Sequence, residues 1–405
     1  MSRVTPAGRP VAFGGRPVTA APRGPSRLSE PNKEESVVSR PSVIIVGSGV
    51  GGLALAGMLT RQGCEVVVLE RSAERRDGLA ITIWPNALRA IRRSGGEEMY
   101  EAVLKVCEPI HSARMISQSR GPLAAIDLGF LTRRYGVTGQ GVTRAELLDT
   151  LIALAGAPVR FGAEVSRVSP DGTVVLTDGE TLRADVVVGA DGVGSTVRRS
   201  LLRPGQDDRR ENPLESWQGV VDRGGIWTSE GADFHFGPLG TCGIMPLTDD
   251  RVYWFVDGSI RTPPTGEGWP DVVRALVAAT PAEQLFPGQA WDRRPVRRWG
   301  RGRVTLLGDA AHPILPTIGQ GACMALEDAG VLAARIAQDP DPVCALRRYE
   351  DDRYPRVLGH FKKARGMLRM RALPGAVRDR MLAALPDRTI TRMYTESTVP
   401  LPEFS

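Results

Sequence analysis

The apolar residues of this 405-residue chain fall into short, separated runs. Val43-Ile44-Ile45-Val46, Val66-Val67-Val68-Leu69, Val186-Val187-Val188 and Val304-Thr305-Leu306-Leu307 are of strand length and nearly free of polar residues. Runs of this kind predict a parallel sheet buried on both faces, since a strand with one wet face would alternate. The small, apolar stretch Leu53–Gln62 predicts a helix after the first run, and Ala322–Ala334 predicts another after the last. A different texture occupies roughly residues 205 to 293, where Gly243-Ile244-Met245-Pro246 and Val252-Tyr253-Trp254-Phe255-Val256 read as antiparallel strands. The stretch Met1–Arg40 shows neither period and carries six prolines, which predicts a solvated, disordered tail.

Two of the runs frame a glycine motif. The first run leads directly into Gly47-Ser48-Gly49-Val50-Gly51-Gly52, a G-x-G-x-x-G placed between strand and helix, and the second run closes on Glu70. Gly47 suits a tight turn, Gly49 lets the backbone approach a pyrophosphate, and Gly52 lets helix and strand pack closely. The helix start offers free amides and a positive dipole end to phosphates. Glu70 stands where an acid is expected to accept hydrogen bonds from a ribose, which favours FAD or NAD over NADP. Two further motifs follow buried runs. Asp185-Val186-Val187-Val188-Gly189-Ala190-Asp191-Gly192 continues to Arg198, and Gly308-Asp309-Ala310-Ala311-His312-Pro313 continues through Pro316 to Gly319-Gln320-Gly321.

With these three motifs in this order, the chain resembles the single-component FAD-dependent aromatic hydroxylases of the para-hydroxybenzoate hydroxylase type, over about Ser42 to Arg371. Gly78-Leu79-Ala80-Ile81-Thr82-Ile83-Trp84-Pro85-Asn86, Val142-Thr143-Arg144 and the Tyr349, Glu350, Arg353, Arg356 pattern agree with it. The wording is most similar to the branch containing urate and salicylate hydroxylases and zeaxanthin epoxidase. The resemblance implies an α/β fold: a Rossmann-like FAD-binding domain with a parallel sheet, an antiparallel-sheet substrate domain and a long C-terminal helix. The expected division is a tail at 1–40, an FAD domain at 41–204 and 294–371 interrupted by substrate-domain strands around 75–140, a substrate sheet at 205–293, and a C-terminal extension at 372–405.

The resemblance also implies residue roles. Gly47, Gly49, Gly51 and Gly52 would cradle the pyrophosphate, Glu70 the ribose, and Arg71 and Val165 the adenine end. Arg144, Thr82 and Asp309 would meet the ribityl and flavin parts. Pro316, Gly319, Gln320, Gly321, Ala322 and Cys323 would border the isoalloxazine, with Asp191 and Arg198 in the motif linked to both FAD and the passing nicotinamide. Trp84, Met245 and Tyr253 are the substrate-binding candidates, with Trp254 beside them. No residue is assigned as catalytic, His312 being read as a residue that shapes the loop. The expected activity is an NAD(P)H-consuming monooxygenase that uses O2 through a flavin hydroperoxide. Alternatives are an epoxidase or Baeyer–Villiger enzyme, and a reductase or desaturase of the geranylgeranyl reductase type. Relatives acting on urate carry a basic residue near the position of Thr241-Cys242, so a less polar aromatic or polyketide-like substrate is expected instead of urate.

Composition narrows the remaining classes. The net charge is +6 with 52 basic residues, of which only Lys33, Lys105, Lys362 and Lys363 are lysine. The first 40 residues hold seven basic residues against Glu30, Glu34 and Glu35, a net of +4, which leaves +2 for the rest. That distribution gives no nucleic-acid footprint. Five cysteines without a C-x-x-C and four scattered histidines predict a reduced, cytoplasmic protein with no metal site. No apolar run approaches the length of a membrane span, so no stable membrane association is expected, and the C-terminal Phe361-Lys362-Lys363 stretch reads as a solvated helix face. The expected assembly is a monomer or homodimer.

Overall fold

The computed structural model describes residues 40–74, 79–202, 210–258 and 260–400. Met1–Ser39, Gly78, residues 205–209 and the last five residues, which entered the sequence reading, lie outside the described residues. The four apolar runs form adjacent strands of one five-stranded parallel sheet, in the order Val304–Leu306, Val186–Gly189, Ser42–Val46, Glu65–Glu70 and Val159–Phe161. Val43 pairs with Val186 on one side and Val66 on the other, and all three are buried. With both faces covered, the inner strands tolerate only apolar side chains, as their sequence shows.

This order sets the carboxyl ends of Val304–Leu306, Val186–Gly189 and Ser42–Val46 side by side, so the three motifs converge although they are spread over some 260 residues of sequence. The Gly47 amide donates to the Leu69 carbonyl at 2.7 Å, that of Ala190 to Val46 at 2.7 Å, and that of Leu307 to Gly189 at 2.9 Å. Ligand sites of open parallel sheets form at such carboxyl ends. The helix Val50–Arg61 packs beside the helix Gly321–Gln338, both starting from glycine loops at that edge.

The second layer is a seven-stranded, mostly antiparallel sheet. Its order is Phe286–Asp292, Arg210–Asp222, Arg251–Gly258, Gly240–Leu247, Ala232–Phe236, Ser112–Ser117 and Gly121–Asp127. Alternation along Arg251–Gly258 decides what faces where. Val252, Trp254 and Val256 pack with Cys242 and Ile244 against the helix Asp271–Ala279. Tyr253 and Phe255 point to the opposite face, which borders a cavity. Trp254 is therefore corrected as a pocket candidate: its indole donates to Thr280 Oγ1 at 2.9 Å behind the sheet.

The long helix Pro342–Arg371 is followed by helices Gly375–Ala383 and Asp387–Thr395. No helix among the described residues is long and apolar enough to cross a membrane.

Candidate active site

Two hollows meet at the carboxyl edge of the parallel sheet. The first is a cleft of about 560 Å³ bounded by the glycine loop 47–52, Glu70, Arg71, Arg144, Val165, Asp191, Asp309 and Ala322. The second is a cavity of about 390 Å³ bounded by Thr82, Trp84, Met245, Tyr253, Pro316 and Gly319, among others. Ile81, Asp309, Gly321 and Ala322 line both. Twelve of the seventeen expected cofactor positions thus border the cleft: Gly47, Gly49, Gly51, Gly52, Glu70, Arg71, Arg144, Val165, Asp191, Asp309, Gly321 and Ala322. Thr82, Pro316 and Gly319 border only the cavity, beside the three substrate candidates Trp84, Met245 and Tyr253.

Main-chain sterics shape the cleft. Gly47 has φ +110°, and a Cβ there would lie 2.4 Å from the Ala190 carbonyl oxygen. A Cβ on Gly52 would lie 2.1 Å from the Gly47 carbonyl oxygen. At Gly49 and Gly321, by contrast, a Cβ would meet nothing within 4 Å and would project into open space that borders the cleft. A floor of bare backbone at the start of two helices fits a dinucleotide that carries phosphates along its middle and an electron-accepting ring at one end.

Side chains then set the charges. Glu70 accepts from the Ser48 amide at 3.0 Å, the Ser48 hydroxyl at 2.9 Å and the Ser72 amide at 2.9 Å. Burial alone would raise its pKa, but the Ser72 and Ser48 bonds outweigh burial and hold the carboxyl below its ordinary range. Asp309 is exposed where the cleft and the cavity meet; the protein packed around it raises its pKa, opposed by His312 and Arg144.

Several motif residues serve as scaffold. The Asp191 carboxylate accepts from the Ser195 hydroxyl and the Thr196 and Val197 amides, capping the helix Thr196–Leu201. Arg198 is buried and donates to the Ala311 carbonyl at 3.2 Å, bracing two motifs against each other. Gln320 and Cys323 are fully buried, with side chains turned into the protein and away from both hollows. Cys323 contacts the Trp84 amide and the Thr82 carbonyl, and burial pushes its thiol up to about 12, so it stays protonated at neutral pH.

Below the loop lies a buried ionic network. His312 Nε2 meets Asp328 Oδ2 at 2.7 Å, and that oxygen also accepts from the Gly308 amide at 2.8 Å. Arg353 donates to Asp328 at 2.6 Å and to Glu327 at 2.7 Å, while Arg356 and Asn86 add to Glu327. All of these groups except Arg356 are at least 98% buried. Removing one partner would strand a charge in the interior, so the network fixes the position of the loop that carries Asp309 and Gly319.

Most of the cavity wall comes from residues that were not among the expected site positions. Met115, Phe234, Phe236 and Phe255 enter from the sheet, and Lys363, Met367 and Arg371 enter from the long helix at i, i+4 and i+8. That spacing was the one available signal. It corrects the expectation of a solvated face, because one side of this helix lines the cavity. Met393, Tyr394, Ser397 and Thr398 complete the wall from the C-terminal segment. Among the described residues no cluster of His, Cys, Asp and Glu has the arrangement of a metal site.

Comparison with known proteins follows the same outline. A family model described as an FAD binding domain matches residues 40–359. The chain is 33% identical over 337 residues to the aurachin C monooxygenase/isomerase of Stigmatella aurantiaca, covering 78% of this chain and 86% of that protein. It is 35% identical over 353 residues to the 3-amino-4-hydroxybenzoate 2-monooxygenase PtmB3 of Streptomyces platensis, covering 81% and 87%. The crystal structure of Klebsiella pneumoniae HpxO with FAD and uric acid superposes with a TM-score of 0.79 at 28% identity, covering 88% of this chain and 96% of that one.

Proposed function

We propose, from the premise that the chain belongs to the FAD binding domain family and is a FAD-dependent monooxygenase, that its cavity receives a small, mainly apolar aromatic compound and adds one oxygen atom to it. The observation that carries this reading is the junction of the two hollows at Ile81, Asp309, Gly321 and Ala322. A cofactor lying along the cleft reaches the cavity only there.

Gly47, Gly49 and Gly52 with the start of the helix Val50–Arg61 would hold the pyrophosphate, and Glu70 the adenosine ribose. Arg71 and Val165 would flank the adenine, and Arg144 and Asp309 the ribityl chain. The amides at Gly319, Gly321 and Ala322 would meet the pyrimidine edge of the ring, where their dipoles favour negative charge. When bound, the flavin takes reducing equivalents from NAD(P)H and, with O2, supplies the oxygen atom.

The protein's own share is orientation and dryness. Trp84, Met245, Phe234 and Tyr253 present a largely apolar wall to the substrate. The Tyr253 hydroxyl donates to Gln218 Oε1 at 2.6 Å, and burial raises its pKa well above the ordinary phenol range, so it stays neutral. No residue here is assigned a proton transfer.

Purified protein is expected to be yellow and to oxidise NADH or NADPH faster in the presence of an aromatic ligand, with one atom of 18O2 recovered in the product. Turnover unchanged under argon, or protein that takes up no FAD, overturns the reading.

A further inference from the structure

The cations that line the cavity are neutralised by the protein itself. Arg371 Nη1 lies 2.9 Å from Asp257 Oδ2, with side chains only 14% and 6% exposed. Lys363 Nζ lies 2.9 Å from Glu396 Oε2. Arg371, Asp257 and Lys363 all line the cavity, and Asp309 adds a further acid at its flavin end. Asp257 offsets Arg371 at the far end, Glu396 offsets Lys363 from outside the lining, and Asp309 leaves a negative charge at the junction.

The C-terminal part of this wall, from Lys363 to Thr398, lies beyond residue 359, where the family match ends. Three bonds hold its last segment to the long helix. Arg356 donates to the Val399 carbonyl at 2.8 Å, His360 Nε2 meets the Ser397 carbonyl at 3.1 Å, and Lys363 pairs with Glu396. Tyr394 is thereby set with its ring 5.7 Å from those of both Trp84 and Phe234.

We propose that this C-terminal wall makes the cavity select uncharged aromatic rings over aromatic carboxylates, with Asp257 as the specificity-determining residue that cancels Arg371. At the buried end of the cavity, away from the more exposed Lys363–Glu396 pair, a carboxylate has two options. It remains without a cation beside Asp257, or it takes Arg371 and leaves Asp257 buried and unpaired. Both strand a negative charge in a low-dielectric space. An uncharged ring with a hydrogen-bonding group meets neither cost. The indole Nε1 of Trp84, 96% buried and without a hydrogen-bond partner among the described residues, supplies a donor for such a group.

The inference rests on the monooxygenase reading, and its test uses holoenzyme. Salicylamide and salicylate, which differ in the charge of one substituent, are titrated while the flavin absorbance and the heat of binding are followed. Wild-type protein should bind salicylamide at least about tenfold more tightly, the size of one charge-assisted interaction. Asp257→Asn frees Arg371 and should improve salicylate binding about tenfold while changing salicylamide less than about threefold. Glu396→Gln alters an exposed side chain and frees Lys363, so it should move salicylate in the same direction by about threefold. It decides the matter if Asp257→Asn does not hold flavin. A wild-type preference for salicylate, no binding of salicylamide, or salicylate affinity unchanged in the variants that fold overturns the proposal. Protein lacking FAD fails the monooxygenase reading instead, which keeps the two failures apart.

Discussion

The cleft and the cavity share four lining residues, yet they are built from different material. Backbone makes the cleft: its glycines either avoid collisions with carbonyl oxygens or leave open floor, and its acids Glu70 and Asp191 are held by amides. Side chains make the cavity, drawn from the strand with Thr82, the antiparallel sheet, the long helix and the C-terminal segment from Met393 to Thr398. A surface made of backbone restricts which residues can occupy it, whereas a surface made of side chains accepts many combinations of similar volume. A constant cofactor and a variable substrate call for this division.

The largest effect that tests the division comes from the glycine loop. Gly52→Ala places a methyl group 2.1 Å from the Gly47 carbonyl oxygen and 3.3 Å from the Ala190 side chain, so backbone must shift. A loss of about 3 kcal/mol of stability is expected, at the upper end of overpacking, together with loss of bound flavin. Gly49→Ala meets nothing within 4 Å in an extended backbone conformation, so the protein without flavin should melt as wild type does while flavin affinity falls. Melting curves of flavin-free protein and flavin content after desalting check both. Equal behaviour of the two variants would remove the distinction between a packing glycine and a floor glycine.

The same distinction explains what the sequence disclosed. The parallel strands were legible because burial on both faces leaves an uninterrupted apolar run, and the cleft because Gly47 and Gly52 answer steric demands that no other residue meets. Trp254 was misplaced because a strand of five apolar residues hides which alternate set faces the cavity; the register against Gly240–Leu247 and the helix behind the sheet decide it. Tyr394 carried no signal at all. Its place depends on the Arg356, His360 and Lys363 contacts, which join residues 33 to 43 positions apart. Arg353 stood in a pattern with Arg356, but that it joins Glu327 and Asp328 in one buried network is a fact of packing.

A second, smaller effect belongs behind the sheet, away from both hollows. Glu350 is fully buried, accepts from the Thr305 hydroxyl at 2.9 Å and lies 2.9 Å from Arg347, while its other oxygen has no partner among the described residues. Burial, only partly offset by Arg347, raises its pKa to about 7. An unfolded glutamate titrates near 4.3, so the folded state binds the proton more tightly. Its stabilising contribution is complete below about pH 4 and is lost as pH rises through 7. Stability should therefore fall by about 2 kcal/mol between pH 5 and pH 8, and Glu350→Gln should flatten that slope without altering flavin content or salicylamide binding. Denaturant unfolding at four pH values measures it. A slope unchanged in the variant would assign the pH dependence to other groups.

The smallest effect tests the separation of the hollows from the cavity side. Tyr394 touches Trp84 and Phe234 through its ring, and its hydroxyl makes no hydrogen bond to a described residue. Two edge or tilted ring contacts of this kind contribute about 0.5–1.5 kcal/mol each. Tyr394→Ala should weaken salicylamide binding about tenfold with flavin content unchanged, because the residue borders the cavity and not the cleft. Tyr394→Phe keeps both ring contacts and should bind as wild type does. Flavin loss in Tyr394→Ala would mean that the C-terminal wall also supports the cleft, through Trp84 and its backbone contact with Cys323. In that case the backbone-built and side-chain-built halves are mechanically one site, and substrate selection cannot be altered without affecting the cofactor.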